Sequence, residues 1–177
     1  MNDQSEREPA LAPPGAHLAR LWTPWRAAYV GVDQPPGCFL CALESADASD
    51  DPANLVLYRE TDVFLLLNRF PYSPGHLLVS PRAHVADFPG LEQDLRDHLF
   101  ALLQRASRVL VEVYHPSGFN IGMNLGQVAG AGVPDHLHAH LVPRWAADSN
   151  FMTVIGETRV LPESLRQSFD KLRPYFE

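Results

Sequence analysis

Three histidines at strict two-residue intervals, His136, His138 and His140, are the residues whose spacing most directly implies chemistry. A period of two places side chains alternately on opposite faces of an extended strand, so the imidazoles share one face while Leu137, Ala139 and Leu141 take the other. At a rise of ~3.3 Å per residue, neighbouring imidazoles stand ~6.6 Å apart, close enough for one phosphorylated substrate to touch two of them. A lone histidine on a strand is ordinarily a half-buried, satisfied side chain. Three in alternation crowd titratable rings together without an evident packing gain, which points to a functional face. Two chemistries fit: neutral imidazoles can ligate a metal, or one can act as a nucleophile while its neighbours handle charge. The spacing alone leaves both open.

Two further features could take part. Cys38 and Cys41 are the chain's two cysteines, separated by Phe39 and Leu40. A redox pair, a structural disulfide and half of a zinc site compete here. No secretion signal supports a disulfide and no βαβ pattern of the thioredoxin kind surrounds the pair, so zinc leads if two further ligands exist. The loop from Leu125 to Pro134 holds Gly126, Gly130 and Gly132 just ahead of the histidine segment. Glycines permit close backbone approach, and consecutive main-chain N–H groups can form an anion-binding nest, although such loops are often only turns.

These residues need a scaffold, and the apolar pattern supplies one. Leu55–Tyr58 and Val63–Leu67 read as paired strands joined by Glu60–Asp62. Pro71 and Pro74 make Phe70–Gly75 a rigid turn, and His76–Ser80 begins a third strand that Pro81–His84 ends. Between about Leu91 and Tyr114, Leu95, Leu99, Leu102, Leu103, Ala106, Val109, Leu110 and Val113 recur at three- and four-residue steps and predict a long helix. Phe119–Asn124 reads as a fourth strand and the segment Asp135–Trp145 as a fifth; Phe151–Ile155 is a further apolar run. A closing helix spans Pro162–Leu172, with Pro162 in its first turn and Leu161, Leu165, Phe169 and Leu172 on one side. The expected architecture is α+β: an antiparallel sheet of about five strands, one long helix and a C-terminal helix. His17, His98 and His115 stand alone and receive no catalytic role.

The chain as a whole sets the remaining bounds. Its 177 residues, 46% of them hydrophobic, suffice for one sizeable core, so residues 21–177 are read as a single domain. Residues 1–20, polar and proline-containing, are read as a disordered tail. Trp22, Trp25 and Tyr29 follow at once and imply burial against the body of the protein or a partner subunit. A formal charge of −7 argues against nucleic acid as a main partner. No run approaches the ~20 apolar residues that cross a bilayer, so a soluble, cytoplasmic protein without a membrane partner is expected.

The run His136-Leu137-His138-Ala139-His140-Leu141-Val142 resembles the signature of the histidine triad (HIT) family, His-x-His-x-His followed by two apolar residues. The stretch Asn68–Val79 is similar to the same family's nucleotide-pocket strand and turn. Pro143-Arg144-Trp145 with Asp148, Asn150 and Phe151, together with Leu21–Arg26, looks like the bacterial diadenosine tetraphosphate phosphorylase branch. The resemblance implies a HIT-like fold and a nucleotidyl-transfer enzyme that cleaves dinucleoside polyphosphates. By the same resemblance His138 is the nucleophile that attacks the α-phosphorus, and His140 contacts the phosphate. Asn68 binds the ribose hydroxyls, Asn124 lies near the phosphates, and Gly130, Gly132 and Trp145 belong to the nucleotide site. Around Gly130-Ala131-Gly132 only backbone N–H groups are on offer, where family loops usually present a hydroxyl or amide. The resemblance further implies a structural zinc on Cys38, Cys41, His84 and His136, and a homodimer or higher homo-oligomer. Two other readings stand beside it: a metal-dependent hydrolase using the triad as ligands, and a nucleotide-binding regulatory protein with little turnover. The motif does not encode whether phosphate or water accepts the nucleotidyl group.

Overall fold

Alternation between two apolar faces decides the centre of the molecule. In the computed structural model, which describes residues 37–146, 148 and 162–177, five strands form one antiparallel sheet. The strands are β1 (Val56–Arg59), β2 (Val63–Leu67), β3 (Leu77–Pro81), β4 (Gly118–Met123) and β5 (Ala139–Arg144), in the order β1-β2-β3-β5-β4. Val63, Leu65 and Leu67 of β2 point into one core, Phe64 and Leu66 into a second, and all five are buried. That is why β2 reads as an unbroken apolar run rather than an alternating one.

Ahead of the sheet lie α1 (Phe39–Ser45), a 3-10 turn (Ala48–Asp50) and the short α2 (Asp51–Asn54). The long helix α3 (Gln93–Tyr114) connects β3 to β4. Its Leu99, Leu102, Leu103, Ala106, Val109 and Leu110 are buried against Leu65, Leu77, Val79, Ala139 and Leu141. Each fully buried leucine contributes about 1.5–3 kcal/mol relative to exposure. His115 ends α3 in the left-handed conformation at φ 46°, its N–H bonded to the Val111 carbonyl. The opposite face of the sheet carries the smaller core of Leu40, Val56, Phe64, Leu66 and Leu78, with Cys38 and Leu43 of the α1 segment packed on it.

The α1 segment is pinned by Arg59. Its guanidinium donates to the Leu43 and Glu44 carbonyls at the end of α1 and to the buried Asp51 carboxylate at 2.6 Å. A second tie runs from Arg82 to Glu44 at 2.7 Å.

Two boundaries differ from the sequence reading by more than two residues. The fifth strand begins at Ala139 rather than Asp135, so His140 alone of the three histidines lies within the ladder. The β3–β5 ladder stops at the pair Val79–Ala139, and the next β3 residue turned towards β5 is Pro81, which has no N–H to give. The C-terminal helix α4 (Leu165–Leu172) starts later than Pro162. Ser164 caps it, accepting from the Gln167 N–H while the Gln167 side chain accepts from the Ser164 N–H, and that reciprocal pair sets the start.

The expected tail at residues 1–20, the aromatic run Trp22–Tyr29, and Asn150, Phe151–Ile155 and Leu161 lie outside the described residues. Among the described residues no helix is long and apolar enough to cross a membrane.

Candidate active site

The β3–β5 register sets Leu78 opposite His140 and Leu77 opposite Leu141. Leu141 and Ala139 enter the core under α3, which turns His140 to the opposite face of the sheet, with Leu78. The His138 and His140 rings stand 5.1 Å apart, centroid to centroid. His136 and His138, just ahead of the ladder, are buried at 1% and 6% exposure.

Hydrogen-bond partners assign the proton on each ring. Nδ1 of His138 lies 2.9 Å from the His136 carbonyl oxygen, which only accepts, so Nδ1 carries the hydrogen and Nε2 the free lone pair. Among the described residues no buried side-chain nitrogen or oxygen lacks a hydrogen-bond partner. Among the described residues no hydrogen-bond partner stands at Nε2 of His138. Burial holds the His138 imidazole below the usual histidine range, outweighing the pull of the His136 carbonyl the other way. The result is an unprotonated nitrogen at neutral pH, the form a nucleophile needs.

His140 is oriented by His76, which the sequence reading placed at the start of a strand, within the Asn68–Val79 resemblance, and gave no role of its own. The Tyr72 backbone N–H donates to Nδ1 of His76 at 3.1 Å, so a neutral His76 carries its proton on Nε2. That Nε2 stands 3.0 Å from Nδ1 of His140, which accepts, leaving the His140 proton on Nε2. The Tyr72 ring stacks on His76 at 4.9 Å, and the Asn68 amide nitrogen lies 3.4 Å from both nitrogens of the same ring. His76 is fully buried. Its sequence signals were a titratable residue opening an apolar strand and its place in the Asn68–Val79 resemblance, and nothing in the spacing linked it to His140.

The other proposed nucleotide contacts are more dispersed. Asn68 accepts the Phe70 N–H through Oδ1 at 2.9 Å, which fixes the amide at the end of β2. Asn124 follows β4, and its amide donates to the Gly130 carbonyl at 3.4 Å, tying the strand to the glycine loop. Gly130 takes φ 82° at the end of the 3-10 turn Gln127–Ala129, a conformation that favours glycine. Gly132 lies in the bend that follows. Trp145, beyond the end of β5, donates its indole N–H to the Tyr114 carbonyl at 3.2 Å and meets that ring edge-on.

His136 faces a different set of partners. Its Nε2 lies 2.9 Å from the Pro81 carbonyl and donates to it, so Nδ1 carries the lone pair. Nδ1 is 3.2 Å from Cys38 Sγ and 3.4 Å from Cys41 Sγ, and His84 Nδ1 is 3.2 Å from Cys41 Sγ. The four ligand atoms of Cys38, Cys41, His84 and His136 all lie within 4.8 Å of one another. Tetrahedral bonds of zinc to sulfur and nitrogen separate the two donors by about 3.5 Å, and the three sulfur–nitrogen contacts of 3.2, 3.2 and 3.4 Å match that to within a few tenths of an ångström. Burial, followed by the neighbouring Cys38, pushes the Cys41 thiol up, an effect that a divalent cation would reverse. With its ring turned to the thiols, His136 does not converge with His138 and His140 on a common ion.

The fold superposes on that of solved histidine triad proteins. A zinc-bound member from Mycobacterium smegmatis superposes with a TM-score of 0.62 at 29% identity, covering 78% of this chain and 92% of that one. The HIT domain family model matches residues 50–147, and the chain belongs to that family. The AP-4-A phosphorylase of Mycobacterium tuberculosis is 40% identical over 157 residues, 85% of this chain and 80% of that protein. A Schizosaccharomyces pombe asymmetrical bis(5'-nucleosyl)-tetraphosphatase is 36% identical over 93 residues, 52% of this chain and 50% of its own length.

Proposed function

We propose that the protein cleaves dinucleoside polyphosphates, with diadenosine tetraphosphate as substrate and inorganic phosphate as acceptor. The observation that carries this reading is the proton assignment of His138: Nδ1–H fixed on the His136 carbonyl, which leaves Nε2 unprotonated. The likeness to the AP-4-A phosphorylase supports the choice of substrate and acceptor.

In the proposed reaction Nε2 of His138 attacks an α-phosphorus. A P–N bond forms as the bond to the bridging oxygen breaks, ATP departs, and an adenylyl-imidazole remains. Phosphate then attacks the same phosphorus, releasing ADP and restoring the ring. His140, with its proton on Nε2, donates to an equatorial phosphate oxygen, and the amides around Gly130 and Gly132 and the side chain of Asn124 take the remaining charge. Asn68 holds the ribose hydroxyls, and Trp145 closes the nucleotide site. Cys38, Cys41, His84 and His136 would hold a zinc ion, which would supply a structural crosslink. A homodimer accords with the edge position of β4, which leaves Ile121 56% exposed. A cytoplasmic location accords with two free thiols.

Incubating the protein with diadenosine tetraphosphate, with and without phosphate, tests the reading. ADP plus ATP only when phosphate is present supports it, and AMP plus ATP in either case assigns hydrolysis instead. His138→Ala is expected to lose several orders of magnitude in turnover while keeping its metal. Metal loss together with activity would return the case to a hydrolase that uses the triad as ligands. Tight AMP binding without any covalent adenylyl-His138 would make it a regulatory binding protein.

A further inference from the structure

The end of the β3–β5 ladder leaves a gap in the hydrogen bonding that is filled next to the nucleophile. Arg82 N–H donates to the Asp62 carbonyl of the neighbouring β2 side, so even-numbered residues of this stretch face β2. Odd-numbered residues, Leu77, Val79 and Pro81, therefore face β5. Continuing the register past Val79–Ala139 sets Pro81 against Leu137. An ordinary residue at position 81 would give its N–H to the Leu137 carbonyl and take the Leu137 N–H in return. Proline cannot give one, which orphans the Leu137 carbonyl; the Leu137 N–H and the Pro81 carbonyl do not pair with each other either, so three main-chain groups take other partners.

All three find them. The Leu137 N–H donates to the Val85 carbonyl at 2.8 Å. The Pro81 carbonyl accepts from His136 Nε2 at 2.9 Å. The Leu137 carbonyl accepts from the Ser80 hydroxyl at 2.9 Å, a shorter contact than the 3.2 Å from that hydroxyl to the Pro81 carbonyl. Ser80 is fully buried in a strand that is otherwise leucine, valine and proline. A hydroxyl there is costly unless it is hydrogen-bonded, and this one supplies the donor that Pro81 lacks.

We infer that Ser80 is a positioning residue for the nucleophile, its hydroxyl standing in for the missing Pro81 amide and fixing the peptide plane from which His138 hangs. The peptide between His136 and Leu137 is planar, so the Leu137 N–H on Val85 points the His136 carbonyl the other way, towards Nδ1 of His138. Ser80 fixes the next plane, between Leu137 and His138. Two consecutive peptides are thus held outside the sheet, and the tautomer and aim of His138 depend on both. This inference rests on the reading of His138 as nucleophile.

The test uses the full-length, metal-loaded chain with diadenosine tetraphosphate and phosphate, alongside Ser80→Ala, Pro81→Ala and the double variant. Ser80→Ala is expected to lower kcat on the order of tenfold with KM unchanged. ¹⁵N spectra of the ring should show His138 leaving the pure Nδ1–H form. Pro81→Ala restores a main-chain donor towards Leu137, so the double variant should regain most of the lost kcat. Unchanged kcat in Ser80→Ala, a loss confined to KM, or a double variant as slow as Ser80→Ala overturns the inference. If Ser80→Ala does not fold, Ser80→Cys, with its weaker donor, replaces it under the same criteria. A wild-type chain that forms no adenylyl-His138 removes the nucleophile reading itself, whatever the Ser80 variants do.

Discussion

Nε2 of His76 stands 3.0 Å from Nδ1 of His140, two buried or half-buried rings 64 residues apart in the chain. Because Nδ1 of His76 is already committed to the Tyr72 N–H, the contact has one direction: His76 donates and His140 accepts. His140 is thereby held as a donor at Nε2, the state that can meet a phosphate oxygen. Replacing His76 by leucine leaves the Tyr72 N–H and His140 Nδ1 without this partner. The expected cost is about 1–3 kcal/mol in stability and roughly 10- to 100-fold in kcat/KM. Urea unfolding and steady-state kinetics on the same preparation check both. Wild-type kinetics in a destabilised variant would reduce His76 to a packing residue.

The cysteine–histidine cluster gives a prediction about metal. The protein as purified should carry about one zinc per chain, and Cys41→Ser and His84→Ala should bind it more weakly. Chelation should lower Tm, since a ligand that binds only the folded state stabilises it by mass action. Metal analysis with thermal melts before and after chelation measures this. His138→Ala, whose ring is turned away from the thiols, should retain the metal of the wild type.

Glu163 makes acid stability a local question. Its carboxylate, ahead of α4, accepts from the Tyr114 hydroxyl at the end of α3, from Ser168 and from Lys171. Burial alone would raise its pKa, but the bonds from Lys171, Ser168 and Tyr114 together hold it below the usual glutamate range. A depressed folded-state pKa means the contribution is complete at neutral pH and is lost as pH falls through that lowered value. Glu163→Gln should therefore cost about 1–2 kcal/mol at pH 7 and flatten the fall in stability below pH ~4. Denaturant titrations of both proteins from pH 7 to pH 3 decide it. Parallel curves would mean that the carboxylate gains nothing from folding.

The features legible in the sequence are those written locally. Apolar periodicity placed all five strands and α3 to within a few residues, because burial on one or both faces fixes residue type at every second or every third and fourth position. The three histidines stood out because their spacing is itself the motif. His84 joined Cys38, Cys41 and His136 only through the family resemblance, since their meeting depends on the return of β3 beside β5. For the same reason His76 and Ser80 were passed over: their partners, His140 and Leu137, are 64 and 57 residues away and are reached through strand register. The early start assigned to β5 has a related cause. Side-chain alternation continues through His136 and His138, whereas the ladder depends on a backbone donor that the proline at position 81 of another strand removes.

Gly75 connects this register to the active site and yields the sharpest backbone prediction. It sits at φ 71° in the turn between β2 and β3, directly before His76. An added Cβ would meet Leu110 Cδ2 and Tyr114 Cε2 of α3, each at 3.0 Å. Gly75→Ala therefore combines a left-handed backbone that disfavours a side chain with a clash against the helix that covers the sheet. Together these should cost roughly 2–4 kcal/mol. Relief can come only by moving the turn or α3. Moving the turn carries His76 away from His140, so the variant should lose catalytic efficiency even at temperatures where it is fully folded. A second substitution, Leu110→Ala, removes one of the two contacts but opens a cavity that by itself costs about 2–5 kcal/mol. If the clash with Leu110 is the main term, Gly75→Ala and Leu110→Ala together should be clearly less destabilising than the sum of their separate effects. Strict additivity in denaturant unfolding would take Leu110 out of the penalty and leave it to Tyr114 and the backbone conformation at residue 75.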